Sequence, residues 1–151
     1  MDAMDRKIIN FLQKNGRITH AKIGNEINLS TSAVNDRVKR LQETEIIKNT
    51  VVTINPSKIG LNILAFISVL IDWNEANEAF GTAIQSIPEV LECHHVTGDW
   101  SYLLKVRAKD NDTLEELISN RIKRLPGVTR SETIFVLSTD KETTELSLNI
   151  T

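Results

Sequence analysis

Cysteine is nearly missing from this chain. Cys93 stands alone, so no internal disulfide can form, in keeping with a reducing compartment. Proline and glycine are sparse, at three and six of 151 residues, and the composition is that of an ordinary globular protein. No stretch approaches the ~18 consecutive apolar residues of a membrane span. The opening Met1-Asp2-Ala3-Met4-Asp5-Arg6 lacks the charged-then-apolar layout of a secretory leader. The expected location is therefore the cytoplasm, with no membrane partner. Enzyme signatures are absent too: there is no G-x-S-x-G, no glycine-rich phosphate loop and no paired carboxylates in a context suggesting a cleft. The expectation is a protein without catalytic residues and without a cofactor.

What is present is asymmetric. Residues 1–60 hold ten Lys and Arg against six Asp and Glu, whereas residues 61–151 hold eight against fourteen. A basic head on an acidic body suits duplex DNA, which rewards clustered positive charge whatever the global balance of −2.

The head reads as three helices. Met4, Ile8, Phe11 and Leu12 recur at helical spacing, predicting a helix over 5–14 that Asn15-Gly16 ends. Thr19 caps a short second helix carrying Ile23 and Ile27. Ser30 caps a third, with Val34, Val38 and Leu41 as its buried stripe. Three short helices with a tight turn before the third make a helix-turn-helix. Off the apolar stripe lie Thr31, Ser32, Asn35, Asp36, Lys39 and Arg40, with Arg37 beside them. Hydroxyls and amides near a helix start meet phosphate, Asn pairs with adenine edges, and Arg or Lys binds guanine or phosphate. Ser30, Thr31, Ser32, Asn35, Asp36, Arg37, Lys39 and Arg40 are thus the candidate DNA contacts. The β-branched run 46–54 reads as a strand forming a wing, with Lys48 near the DNA backbone. Asn55-Pro56 stops it, and Pro56 to Gly60 reads as a linker, giving domains at 1–60 and 61–151.

The second domain repeats itself. A strand over 62–72, a helix through Ala76 to Ile87 and a strand over 90–96 are followed by a strand over 101–107, a helix through Leu114 to Leu125 and a strand over 128–137. Ile87-Pro88-Glu89-Val90 and Leu125-Pro126-Gly127-Val128 carry the same punctuation. The order βαββαβ predicts a ferredoxin-like, four-stranded antiparallel sheet with both helices on one face, so the chain is α+β. The first strand is apolar on both faces, so the uncovered face calls for a partner, most economically a second copy. In Glu92-Cys93-His94-His95, alternation puts Cys93 and His95 on one face and His94 on the other, short of the four ligands of a structural zinc site. Val96-Thr97-Gly98-Asp99-Trp100-Ser101 reads first as a hairpin turn. Its glycine and amides also suit close approach by a carboxylate.

These residues resemble the Lrp/AsnC family of regulators over roughly Met4 to Leu137. The resemblance is carried by Asp5-Arg6-Lys7-Ile8-Ile9, Leu12 to Arg17, Leu29-Ser30, Arg37-Val38-Lys39-Arg40-Leu41, Ile46-Ile47-Lys48, Val96-Thr97-Gly98-Asp99, Leu103 to Val106 and Ser131-Glu132-Thr133. It implies a regulator of transcription with a winged helix-turn-helix and a sensing and assembly domain. Its implied partners are double-stranded DNA, other copies of itself as a homodimer that assembles to an octamer, and a small amino acid as effector bound where dimers meet. It also implies effector contacts from Thr97, Gly98, Asp99 and Trp100, and from the neighbourhoods of Ser119 and of Ser131, Glu132 and Thr133. The chain departs from the family in having Ser101 where a second Asp is frequent and Glu45 where Gly is usual. The rival reading is an amino-acid-binding module or regulatory subunit of a metabolic enzyme, because βαββαβ folds host many functions. The basic head discriminates against it.

Overall fold

A computed structural model describes residues 1–72 and 77–148. The chain forms two compact units, one from Met1–Thr53 with Lys141–Thr151 and the other from Ile54–Asp140. The boundary thus falls before the Pro56 to Gly60 stretch. That stretch is a single 3-10 turn, Pro56–Ile59, capped by the Asn55 side chain and opening the second unit.

In the first unit, α1 spans Ala3–Lys14, α2 His20–Ile27 and α3 Thr31–Glu43. Helix α1 begins earlier than its apolar stripe suggests. Asp2 and Asp5 form a reciprocal capping box, each side chain accepting from the other's backbone N–H at 2.8 and 2.9 Å. Thr19 and Ser30 cap α2 and α3, each oxygen accepting a backbone N–H at 3.2 Å. Ile8, Ile23, Ile27, Val34 and Val38 form the core, with Met4, Phe11, Leu12, Ile18 and Leu29 packed on it. Between α2 and α3 the chain turns at Asn28, which is left-handed at φ 57°. The turn presses on Gly24, where a Cβ would lie 2.4 Å from the Leu29 carbonyl oxygen. A glycine inside a helix costs about 1 kcal/mol against alanine, and here no other residue leaves room for the turn.

The strand expected over residues 46–54 needs correction. Residues 46–54 make no strand in the structure, and Val52 is 86% exposed. Strand residues need a ladder partner, and the described first unit contains no other strand to supply one. The polar stretch from Lys141 lies in the first compact unit. Gln13 holds the Leu146 main chain at both ends, accepting its N–H at 2.7 Å and donating to its carbonyl at 3.0 Å.

The second unit follows the order β1 (Ile63–Ile71), α4 (Asn77–Ile84), β2 (Val90–His95), β3 (Tyr102–Ala108), α5 (Asn111–Glu116) and β4 (Val128–Phe135). Its strands are antiparallel in the order β2-β3-β1-β4. The two halves close alike, with Val90 N–H donating to Ile87 at 3.1 Å and Val128 N–H to Leu125 at 3.2 Å. Beyond α5 the helix widens into a π turn, Leu117–Arg121, then tightens to a 3-10 turn, Ile122–Arg124. An i→i+5 turn brings residues five apart to one side, and Leu117 and Ile122 are both buried in the core.

Alternation sorts β1. Ala65, Ile67, Val69 and Ile71 join Leu104, Val106 and Ala108 beneath Phe80, Ile84, Leu114 and Leu117. The other face carries Leu64, Phe66, Ser68 and Leu70, flanked in register by Leu103 and Lys105 on β3 and by Glu132 and Ile134 on β4. Among the described residues no helix of the unit packs its buried core on that face; Leu64 and Ser68 there are nonetheless buried, while Ile134 is 53% exposed.

Candidate functional site

Helix α3 presents Thr31, Ser32, Asn35, Asp36 and Lys39 to solvent, and Lys48 is exposed on the segment after it. Ser30 and Ser32 hydroxyls lie 3.0 Å apart at the capped N-terminus, where unpaired backbone amides and the helix dipole favour an anion. Asn35 is engaged from α2, its Oδ1 in contact with Nδ1 of His20. Sequence reasoning missed His20, for which only tertiary structure supplies a signal. Lys39 makes only a loose i,i+4 contact with Glu43, at 3.8 Å.

The two arginines behave differently. Arg37 donates to Asp2 at 2.7 Å and to Asp5 at 2.8 Å, and Arg40 donates to both Asp5 oxygens at 2.9 Å. The Asp5 side chain is 1% exposed. Burial pushes its carboxyl up, but the Asp2 N–H and the guanidinium of Arg37 outweigh this, and the group is held below the usual carboxylate range. Asp2 is pulled to about 2, first by the Asp5 N–H and then by Arg37. Contacts with Asp2 and then Asp5 push the Arg37 guanidinium up, reinforcing its charge. This lattice ties α3 to α1 through Arg37 and Arg40.

Turning the corner after α3, Glu45 is left-handed at φ 55°. The glycine that the resemblance implies here would suit this position, because glycine enters that region without the steric cost other residues meet.

In the second unit the loop between β2 and β3 closes through Val96 N–H donating to the Ser101 carbonyl at 3.0 Å. Ser101 is 4% exposed, and its hydroxyl accepts the Ile71 N–H at 3.2 Å, just past the last β1–β3 pair. A neutral hydroxyl suits that dry position, so the departure from Asp has a structural role. Gly98 has φ 106° and open space where a Cβ would stand, so backbone conformation rather than crowding requires glycine there. Thr97 and Asp99 are exposed, and Trp100 is half-buried with the Arg130 guanidinium 4.4 Å from its ring centre. Ser131 and Thr133 pair with Val69 and Ile67 and share their helix-covered face, while Glu132 lies on the open face. Ser119 is half-buried in the π turn. The structure therefore joins the loop to β4 through Trp100 and Arg130. It places Ser119 and Ser131 to Thr133 on separate elements with no direct bond to the loop.

On β2, Cys93 and His95 pair with Leu104 and Tyr102 on the helix side, and His94 pairs with Leu103 on the open side. Glu92 is bonded to His94 at 3.1 Å and to Lys105 at 3.2 Å. Among the described residues no three ligating side chains converge.

Two family models match the chain. One is a winged helix-turn-helix DNA-binding domain over residues 1–48, and the other the Lrp/AsnC ligand binding domain over residues 64–146. The leucine-responsive regulatory protein of Escherichia coli strain K12 is 34% identical over 148 residues, covering 97% of this chain and 90% of its own. An HTH-type transcriptional regulator, FL11, of Pyrococcus furiosus is 34% identical over 146 residues, covering 97% and 95%. Among solved structures, a transcriptional regulator from Neisseria meningitidis in complex with L-Met superposes with a TM-score of 0.92 at 32% identity. That match covers 99% of this chain and 97% of the other.

Proposed function

The chain belongs to the Lrp/AsnC family, and from that premise we propose how this DNA-binding transcription regulator divides its work between its units. DNA is met by α3 through Ser30, Thr31, Ser32, Asn35, Asp36 and Lys39, with Lys48 on the backbone. Arg40 is shared between Asp5 and phosphate, and Arg37 orients the helix. The observation that carries this reading is the exposed polar face of α3, presented from a capped, glycine-tight turn and fixed to α1 by a buried carboxylate.

The second unit pairs subunits and senses an amino acid. The open sheet face, apolar at Leu64, Phe66 and Leu70, suits a second copy packed face to face, and dimers assemble further to octamers. Two copies would present paired recognition helices to half-sites about one DNA turn apart. An amino acid would bind near Thr97, Gly98, Asp99 and Trp100, with Ser119, Ser131, Glu132 and Thr133 contributing where subunits meet. The L-Met complex of the Neisseria meningitidis relative supports that ligand class. No catalytic step is assigned. Among the described residues no helix is long and apolar enough to cross a membrane, and a cytoplasmic regulator is the reading we adopt.

Selection from a random duplex pool, followed by affinity measurements across a salt series, tests the DNA assignment. Lys39→Ala should weaken binding and flatten the salt slope by about one unit, as expected for one lost phosphate contact. A wild-type protein that enriches no sequence would overturn the reading.

A further inference from the structure

We propose that Arg130 receives the carboxylate of the effector and that Trp100 holds it in place to do so. The inference rests on the reading of the second unit as an amino-acid sensor. Strand order puts β1 between β3 and β4, so the loop before β3 and the residues of β4 reach one another only across it. Trp100 makes that reach: Arg130, opposite Leu70 in the β1–β4 register, has its guanidinium carbon 4.4 Å from the Trp100 ring centre. A guanidinium seated on an indole is restrained through its face, while its N–H edge remains free for a planar, bidentate acceptor such as a carboxylate.

No carboxylate among the described residues pairs with Arg130, and no cation among them pairs with Asp99, the exposed neighbour of Trp100. One end of the sheet thus carries an unpaired cation and an unpaired anion that do not neutralise each other. A zwitterion fits that arrangement, with its carboxylate on the Arg130 edge and its ammonium on Asp99. Glu132 lies on the same open face as Arg130, one alternation further along β4. It disfavours a carboxylate there and so directs it to the Trp100 end. Ser101 adds no second anion, because its hydroxyl is buried and occupied by the Ile71 N–H.

Calorimetry on the full chain with the twenty common amino acids tests the assignment, with L-methionine and L-leucine also compared with their carboxamides. The wild type should bind at least one of those two acids and lose roughly tenfold or more in affinity when its carboxylate is blocked, the scale of one charge-assisted hydrogen bond. Arg130→Gln should bind the acid that much more weakly and no longer distinguish acid from amide. Arg130→Lys should retain the preference at reduced affinity, which separates loss of charge from loss of fold. An Arg130→Gln protein that keeps the wild-type melting temperature and the full preference for the acid overturns the inference while leaving the sensor reading intact. A wild type that binds none of the twenty overturns the sensor reading, and this inference with it.

Discussion

The first unit buries its core among three helices, whereas the second packs its described helices on one face of a sheet. In the first, charge is built into the frame: a carboxylate 1% exposed joins the first turn of α1 to two arginines of α3. In the second, the core is apolar, and the buried polar residues among those described are the serines Ser68 and Ser101. A small three-helix unit has little apolar area to bury, so a paired buried charge carries part of the alignment that side-chain packing supplies in the larger unit. The same residue type therefore has different meanings in the two. Arg37 of the first unit is defined by its carboxylate partners, whereas Arg130 of the second lies over the Trp100 ring.

The sharpest way to break the comparison is to charge β1 on alternate faces. Ile67→Asp places a carboxylate in the dry core beneath the helices and should unfold the second unit, since burying an unpaired charge costs several kcal/mol. Phe66→Asp, one residue away on the open face, should leave that unit folded and abolish pairing of subunits. Sedimentation together with circular dichroism distinguishes the two. If both variants unfold, or if Phe66→Asp still assembles, the face is not an interface.

A smaller effect is expected from the charged frame of the first unit. Asp5→Ala removes the shared acceptor of Arg37 and Arg40 and should cost about 2–4 kcal/mol, reduced from a fully buried pair because Arg40 is half-exposed. The loss should appear in the head's melting transition and in DNA affinity. Acid offers the same test without mutation. Asp2 and Asp5 have carboxyls depressed in the folded state, so their stabilisation is complete above the unfolded value near 3.9. It is lost as pH falls through the folded values, about 2 for Asp2. The head should weaken over that window, and Asp5→Asn should flatten the dependence. An unchanged acid profile in Asp5→Asn would remove the carboxylate from the account.

The smallest effect should be a gain. Glu45 is held at φ 55°, and Glu45→Gly should raise head stability by about 1 kcal/mol by removing left-handed strain, net of glycine's extra chain entropy. A lower melting temperature would show that the glutamate side chain contributes more than its backbone costs.

Local signals made most of the fold legible. Thr19 and Ser30 mark helix starts, Val34, Val38 and Leu41 mark a buried stripe, and the matched Ile87-Pro88 and Leu125-Pro126 corners mark a repeat, because each acts within a few residues. What the sequence hid acts at long range. The spacing of Arg37 and Arg40 tells which side of α3 they occupy, not that carboxylates at residues 2 and 5 wait there. Residues 46–54 have strand-forming side chains, yet pairing depends on another strand being near. The docking of Leu146 on Gln13 engages main chain, which leaves no mark in side-chain pattern. In the loop between β2 and β3, Gly98 was legible as a turn, but the placement of Arg130 over Trp100 depends on a strand order that composition does not reveal.

Asp5 serves at once as half of the α1 capping box and as the seat of Arg37 and Arg40. Fraying ordinarily begins at a chain end and stays there. Here the first turn of α1 cannot open without releasing the guanidinium groups that tie it to α3, so thermal motion near residue 2 reaches the exposed polar face of α3 as motion of that face itself.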